Sequence, residues 1–454
     1  MSILRSAAAL SLAAAFAYAA LASSAQAAEV KLDAELGHSV LSTGKPGTVY
    51  LRLSLKSLAA RKREKRTSIN AALVIDRSGS MSGDRISAAK EGARVALERL
   101  SSDDTIAIVA YNHEVDVLSP AAPLRGSRDD LNRAINRLNA SGRTALYDGV
   151  KEGGRQLEEF LSDDNVNRVV LLSDGLANVG PSSPAELAKL GRKLASKGIS
   201  VSTIGLGLDY NEDLMQRLAA ASDGNHVFVE RPSDLAEIFD QEFGDALSVS
   251  ARDITIIIEC KAGFKPIRIL GRDGDIDGNR IKLTLNQLQS ENERYVVVEL
   301  QAPEGHGSGS ADVADVRLDY IDLDKGGPAR VSTQPRVRFS SDAKDVDEGI
   351  NKEVMTQVAA QIATENSEKA VELRDKGDIA GARQLLQENA RSIGKLSVDY
   401  GSGPDAAAPA SISKLKELEE QNRVAAENLD EDSWGRTRKA MRADQHKAKV
   451  QQSY

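Results

Sequence analysis

The chain has 454 residues, of which 41% are hydrophobic and 28% charged, and its formal net charge is −8. This length is enough for two or three domains, and the composition is that of a globular protein. The acidic balance and the aromatic content of 4% argue against nucleic acid as a partner, because that partner needs basic patches and stacking rings.

The first 27 residues have the pattern of an export signal. Arg5 precedes an apolar stretch over residues 7–22, and residues 25–27 have the small-x-small form of a cleavage site. We therefore expect residues 1–27 to be removed and the protein to be periplasmic or secreted. A retained anchor helix is the alternative, but the apolar stretch is short for one. No later stretch has about 18 consecutive apolar residues, so no transmembrane segment is expected after cleavage.

Residues 28–66 are predicted to be β-rich. Residues 49–55 alternate apolar and polar side chains in their later part, as in a half-buried strand. The basic run over residues 61–66 is interpreted as a solvated loop, in preference to a contact with an anionic surface.

Residues 67–248 alternate between strand-like and helix-like patterns. Such alternation predicts a doubly wound, mostly parallel sheet with helices on both faces, a Rossmann-like α/β fold. The strands are expected at residues 69–75, 104–111, 115–118, 169–172, 199–206 and 226–229.

Residues 249–340 return to short strands separated by turns, which is typical of an antiparallel sandwich. Because β-rich sequence lies on both sides of the α/β domain, we expect that domain to be inserted into the β-sandwich. Within this part, Asp273, Asp275 and Asp277 copy the start of a calcium loop, but Thr284 replaces the final glutamate. A polar hairpin turn is the preferred interpretation. Cys260 is the sole cysteine, so it cannot form an internal disulfide, and we expect a buried, inert thiol.

The last part of the chain is predicted to be helical. Apolar residues at helical spacing indicate a helical hairpin over residues 341–400, with Gly377 as a stop and Asp378 as the N-cap of its second helix. Residues 401–454 are interpreted as a linker followed by a charged tail, either helical or partly disordered.

Oxygen-bearing side chains follow two of the predicted buried strands. Asp76, Ser78 and Ser80 come after the first strand, and Asp174 comes after the strand at 169–172. Thr144 stands just before a predicted helix. Ligands bind α/β sheets outside the carboxyl ends of the strands, and carboxylate and hydroxyl oxygens suit Mg²⁺. Taken alone, the D-x-S-x-S segment could equally be an ordinary helix N-cap.

This combination resembles the von Willebrand factor type A domain with its metal-ion-dependent adhesion site. The resemblance covers about residues 67–248. The wider order of segments resembles bacterial exported proteins of this type and, more distantly, the inter-alpha-trypsin inhibitor heavy chains. The resemblance to the type A domain implies that Ser78 and Ser80 bind the ion directly and that Thr144 does so in the ligand-bound state. Asp76 and Asp174 would act mostly through water.

The expected function is Mg²⁺-dependent protein binding in the cell envelope, without enzymatic activity. A partner protein would present an Asp or Glu carboxylate to the open position of the ion, and Mn²⁺ or Ca²⁺ could substitute for Mg²⁺. A Mg²⁺-dependent phosphoryl hydrolase with Asp76 as nucleophile is one alternative, disfavoured because Ser78 stands where such enzymes carry an acid. A scaffold with a purely structural ion is the other. The identity of the partner does not follow from the sequence.

Overall fold

The computed structural model describes residues 30–43, 47–58, 66–162, 164–304 and 307–451. The expected signal segment, residues 1–27, and the basic run up to residue 65 lie outside these ranges. Among the helices in these ranges, none combines the length and apolar character that a membrane span requires.

Within residues 30–43 and 47–58, three strands precede the α/β domain. They are β1 (Val30–Leu36), β2 (Val40–Ser42) and β3 (Thr48–Ser57). β1 pairs antiparallel with β3 along its whole length. The inward-facing side chains Leu51, Leu53 and Leu55 of β3 are completely buried.

The α/β domain contains a six-stranded sheet. Its strands are β4 (Ser68–Asp76), β5 (Thr105–Tyr111), β6 (Val115–Pro123), β7 (Asn165–Ser173), β8 (Ile199–Leu206) and β9 (His226–Val229). They lie in the order β6-β5-β4-β7-β8-β9, and every neighbouring pair is parallel except β5 and β6. The predicted doubly wound, mostly parallel sheet is therefore confirmed.

Six helices cover the two faces of this sheet. They are α1 (Asp84–Arg99), α2 (Arg128–Asn136), α3 (Leu146–Leu157), α4 (Pro184–Ala195), α5 (Glu212–Ala221) and α6 (Leu235–Leu247). Helices α1, α2 and α6 share one apolar core with the sheet, and α3, α4 and α5 share the other. Successive residues of β4 alternate between the two cores, which explains why its apolar run is uninterrupted.

Nine strands follow the α/β domain. They are β10 (Val249–Cys260), β11 (Lys265–Leu270), β12 (Asp275–Asp277), β13 (Arg280–Gln289), β14 (Glu293–Gln301), β15 (Gly309–Asp312), β16 (Ala314–Asp322), β17 (Gly327–Thr333) and β18 (Arg336–Ser340). Together with β1, β2 and β3, these strands form sheets in the orders β1-β3-β14-β11, β12-β13-β10-β16-β17 and β15-β18-β2. All these pairs are antiparallel except β18 with β2.

The first two of these sheets enclose one apolar core, which includes Leu53, Ile256 and Val298. β3 pairs with β14 from Thr48 opposite Gln301 to Lys56 opposite Glu293. The expected pairing between strands on the two sides of the α/β domain is thus confirmed.

Two smaller expectations about this part of the chain also agree with the structure. The acidic segment lies in a hairpin of β12 and β13, with Asp277 opposite Arg280 and all of β12 exposed. Cys260 is buried, and burial raises the pKa of its thiol to about 11.

Five helices follow the sandwich within the described residues up to 451. They are α7 (Ala343–Glu348), α8 (Lys352–Asp375), α9 (Ile379–Tyr400), α10 (Pro409–Glu427) and α11 (Glu431–Val450). Asp378 caps α9 as expected, because its carboxylate accepts a hydrogen bond from the amide of Gly381. Val354 and Val358 of α8 pack against Val297 of the sandwich.

The part of the chain beyond residue 400 is more ordered than its composition indicated. The connecting segment before α10 is short, and both α10 and α11 pack into the molecule. Leu415 and Leu418 of α10 share a core with Ile393 of α9, and α11 contacts α5 of the α/β domain through Arg438 and Lys439. The tail therefore joins the helical region to the α/β domain.

Candidate metal site

The site lies at the carboxyl edge of the α/β sheet. β4 ends at Asp76, and its neighbour β7 ends at Ser173, immediately before Asp174. The two strands are parallel, with Ile75 opposite Leu172, so both aspartates emerge at the same edge. All five predicted ligands come together here: the segment from Asp76 to Ser80, Thr144 and Asp174.

Three hydroxyls surround a small space beside Gly175. A methyl group placed on the Gly175 Cα would lie 3.3 Å from Ser80 Oγ, 3.4 Å from Thr144 Oγ1 and 3.8 Å from Ser78 Oγ. The two serine hydroxyl oxygens are 3.1 Å apart. Glycine therefore keeps open a space lined by oxygen atoms, which any larger side chain at this position would fill.

Asp76 is completely buried and is held from two sides. Its Oδ1 accepts a hydrogen bond of 2.8 Å from the amide of Ser78, and its Oδ2 accepts one of 2.7 Å from Ser173 Oγ. Burial raises the pKa of Asp76 to about 6, and the negative charge of Asp174 contributes in the same direction, while the hydrogen bonds from Ser173 and Ser78 oppose the rise. A cation at this point would favour the charged form of both carboxylates.

Asp174 is also completely buried, and both of its carboxylate oxygens are engaged. Oδ1 accepts a hydrogen bond of 2.7 Å from Ser80 Oγ. Oδ2 lies 2.5 Å from Nη1 of Arg85, a residue in the first turn of α1. The hydrogen bond to Asp174 raises the pKa of Arg85.

The loop that carries Thr144 is tied by backbone hydrogen bonds to the loop after β4. The amide of Gly79 donates to the carbonyl of Gly142 over 3.0 Å, and the amide of Ser141 donates to that of Arg77 over 2.8 Å. Gly142 has a φ of +80°, and a Cβ there would lie 2.3 Å from Nδ1 of His113. This tight turn requires glycine, and it places Thr144 beside the two serines.

The donor set fits a hard divalent cation. Two carboxylates and three hydroxyls supply oxygen atoms only, and oxygen ligands are those that Mg²⁺ prefers. Elsewhere among the described residues, no three His, Cys, Asp or Glu side chains gather as a metal site. A cavity of about 780 Å³ lies at the opposite edge of the sheet, near Asn167 and Gly198 at the start of β7 and β8, and is remote from this cluster.

Two contacts at the site escaped the sequence reasoning. Ser173 was not predicted to belong to the site, although its hydroxyl donates a hydrogen bond to Asp76. Arg85 was also not predicted, although a basic side chain in the first turn of a helix indicates that an acidic partner lies nearby. The positive end of the helix dipole disfavours a cation there unless an acid compensates for it.

Comparison with known proteins agrees with this architecture. Residues 70–241 match the family model of the von Willebrand factor type A domain. The chain is 25% identical to an uncharacterised protein of Synechocystis sp. over 347 residues, which cover 72% of this chain and 79% of that protein. It is 28% identical to mouse inter alpha-trypsin inhibitor, heavy chain 4, over 175 residues. That match covers 37% of this chain and only 18% of the mouse protein.

A solved structure shows the same fold over most of the chain. The structure titled von Willebrand factor type A from Catenulispora acidiphila superposes with a TM-score of 0.65, at 16% sequence identity. The superposition covers 87% of this chain and 97% of that one. At this level of identity the likeness concerns the fold alone.

Proposed function

Because residues 70–241 form a von Willebrand factor type A domain, we propose that the chain is a Mg²⁺-dependent protein-binding module. Domains of this family typically mediate protein–protein interaction or adhesion. The observation that carries the proposal is the set of three hydroxyls around Gly175, with the carboxylates of Asp76 and Asp174 bonded to the same loop residues, Ser78 and Ser80. A bound ion would offer its open coordination position to an Asp or Glu carboxylate of the partner.

Each site residue has a distinct role in this proposal. The hydroxyls of Ser78, Ser80 and Thr144 would hold the ion. The carboxylates of Asp76 and Asp174 would balance its charge from behind these hydroxyls, through water. The hydroxyls are neutral, so the ion would keep enough positive charge to attract an acidic ligand from outside.

The surface beside the site supports a protein partner. Leu176 and Leu208 follow β7 and β8 at the same edge of the sheet, and they are 57% and 43% exposed. A protein partner held at the ion would pack against these two side chains and bury them. The signal-like residues 1–27 support a location in the cell envelope, where such a partner would be met.

The first test measures the ion directly. Isothermal titration calorimetry of the wild-type protein with Mg²⁺ should show one site, and Asp76→Ala and Ser80→Ala should abolish or strongly weaken it. Asp116→Ala is the control, because Asp116 is an exposed acid near the site that pairs with Arg77. Equal ion binding by wild type and Asp76→Ala would contradict the proposed site.

The second test measures the partner. Envelope proteins are passed over the immobilised chain in Mg²⁺ and in EDTA, and Asp76→Ala is compared with Asp116→Ala. We expect a partner protein to be retained only in Mg²⁺ and only when Asp76 is present. An excess of a Glu-containing peptide should reduce this retention. Retention that is the same in EDTA would instead favour a scaffold with a structural ion.

We do not propose a catalytic step for this site. Asp76 is completely buried and both of its oxygens accept hydrogen bonds, whereas a nucleophilic carboxylate has to reach its substrate. The decisive measurement is hydrolysis of a generic phosphate ester with Mg²⁺ by wild type and Asp76→Asn. If wild type hydrolyses the ester and Asp76→Asn does not, the result would support the alternative function as a phosphoryl hydrolase.

A further inference from the structure

Arg85 occupies an unusual position for a basic residue. It is the second residue of α1, where the unpaired amides of a helix create partial positive charge. A cation there is unfavourable by itself, so its side chain needs compensation from acidic groups. The structure shows two such groups, one on each side of the guanidinium.

The guanidinium joins two loops of the site edge. Its Nη1 lies 2.5 Å from Oδ2 of Asp174, after β7, and its Nη2 lies 3.2 Å from Oδ2 of Asp209, after β8. The two acids differ in exposure, because the side chain of Asp174 is completely buried and that of Asp209 is 70% exposed. The pair with Asp174 is therefore the stronger one, since water screens the pair with Asp209.

The same carboxylate is one of the charges that would attract the ion. Asp174 accepts a hydrogen bond from Ser80 through Oδ1 and from Arg85 through Oδ2. A guanidinium bound to Oδ2 neutralises part of the negative charge that a divalent ion would otherwise meet. It also places a fixed positive charge close to the ion, and like charges repel.

We propose that Arg85 is an internal competitor for Asp174 that sets the ion affinity of the site. This inference rests on the ion site proposed above. When no ion is bound, Arg85 stabilises the buried carboxylate of Asp174. The same ion pair weakens the binding of a divalent cation, because it neutralises part of the negative charge that attracts the cation. The site consequently binds Mg²⁺ less tightly than its five ligands alone would allow.

The test compares Mg²⁺ affinities by isothermal titration calorimetry. Arg85→Gln should bind Mg²⁺ about tenfold more tightly than wild type. The positive charge of the guanidinium is then gone, so it no longer repels Mg²⁺ or competes with it for the carboxylate of Asp174. Arg85→Lys keeps the charge and should stay within about threefold of wild type. Arg77→Gln is the matched control, since Arg77 also lies beside the site but pairs with the exposed Asp116. It should change the affinity less than Arg85→Gln does.

A second readout does not depend on calorimetry. In EDTA, Arg85→Gln should melt at a lower temperature than wild type, because it leaves the carboxylate of Asp174 buried without a cation. Saturating Mg²⁺ should then raise its melting temperature more than it raises that of wild type.

The outcomes separate this inference from the proposed function. Unchanged or weaker Mg²⁺ binding by Arg85→Gln, while Asp76→Ala still abolishes binding, would overturn the role of Arg85 alone. Mg²⁺ binding that survives Asp76→Ala would overturn the ion site itself, and the role of Arg85 with it.

Discussion

Ser173 and Asp76 end neighbouring parallel strands, and a hydrogen bond of 2.7 Å joins the serine hydroxyl to Oδ2 of the buried aspartate. This bond favours the charged form of Asp76, because it lowers a pKa that burial raises. The register of the two strands thus places a donor beside Asp76, and this donor opposes the effect of burial on the charge of the acid.

Replacing Ser173 by alanine should weaken both folding and ion binding. The substitution leaves one oxygen of a buried carboxylate without its donor, and we expect a loss of about 1–3 kcal/mol in the free energy of unfolding, measured with urea. The pKa of Asp76 should rise further, so the loss of Mg²⁺ binding on lowering the pH should begin at a higher pH than in wild type. Ser200→Ala, which changes a buried serine of β8 away from the site, should not affect Mg²⁺ binding. Equal effects of the two variants would contradict this role of Ser173.

Replacing Gly142 by alanine should disturb the position of Thr144. The new Cβ would adopt a φ of +80° and would lie 2.3 Å from Nδ1 of His113, so we expect a loss of stability of about 1–3 kcal/mol and weaker Mg²⁺ binding. Gly126→Ala is a matched control, because Gly126 has a φ of +81° but no atom within 4 Å of the added Cβ. It should lose only about 1 kcal/mol and keep its Mg²⁺ affinity. Similar ion affinities for the two variants would show that Thr144 does not depend on this turn.

The contact between α11 and the α/β domain contains a buried charge pair. Nζ of Lys439 donates over 2.6 Å to Oε2 of Glu212 and over 2.9 Å to the carbonyl of Tyr210, and it lies 4.7 Å from the centre of the Tyr210 ring. Lys439→Met should cost about 3–5 kcal/mol in unfolding free energy, because it removes one partner of a buried pair.

The double variant Lys439→Met with Glu212→Gln completes a mutant cycle for this pair. It should be more stable than the sum of the two single losses predicts, since each single variant already removes the contact between Lys439 and Glu212. Additive losses, measured by urea unfolding, would show that the two side chains do not interact. Arg438 also contacts Glu212. That contact changes in both proteins that carry Glu212→Gln, so the cycle subtracts it and leaves the coupling between Lys439 and Glu212.

Two buried histidines at the same contact make stability depend on pH. His226 of β9 and His446 of α11 meet edge to face, 5.9 Å apart. Burial lowers the pKa of His226 to about 3 and that of His446 to about 4, from 6.5 in an unfolded chain. The unfolded state therefore binds more protons between about pH 4 and 6.5. Stability is fully present above pH 6.5 and falls as the pH decreases, by up to about 1.4 kcal/mol per pH unit for each histidine.

The measurement compares wild type with His446→Gln by urea unfolding from pH 5 to pH 8. Glutamine can still donate to the carbonyl of Gly224, as His446 Nε2 does over 2.9 Å, but it does not titrate. The variant should show a flatter pH dependence below pH 6.5, and its difference from wild type at pH 8 gives the loss of packing alone. Asp76 acts in the opposite direction in this range, because its raised pKa favours the folded state at lower pH. The difference between the two proteins removes that contribution, and identical slopes would contradict the role assigned to His446.

Much of the α/β domain and its site followed from local sequence. Residues 71–75 form an unbroken apolar run because two helical layers cover β4, and that pattern identifies a central strand without knowledge of the fold. Asp76, Ser78 and Ser80 lie within one turn of chain after this strand, so their proximity is local. Asp174 required only the rule that parallel strands end at one edge. Thr144 precedes a helix and was assigned to the site through the resemblance to the von Willebrand factor type A domain.

Contacts between distant residues did not follow from the sequence. The bond between Arg85 and Asp174 spans 89 positions, and the pair of Lys439 with Glu212 spans 227. The charged tail had the composition of a segment that cannot bury enough apolar surface to fold alone. Instead, Arg438 and Lys439 of the tail pair with Glu212 of α5. No local sequence pattern predicts these long-range ion pairs.

The sequence by itself determined the fold class and placed Asp76, Ser78, Ser80 and Asp174 at one edge of the sheet, because strand burial and loop chemistry are encoded in neighbouring residues. The fifth predicted residue, Thr144, came from the resemblance to a known family. Only the tertiary structure decided which groups surround those five. Ser173 and Arg85 reach the two aspartates through the register of β4 with β7 and the placement of α1. Such contacts depend on the packing of whole elements, and the energy of a buried charge depends on every neighbour that packing supplies.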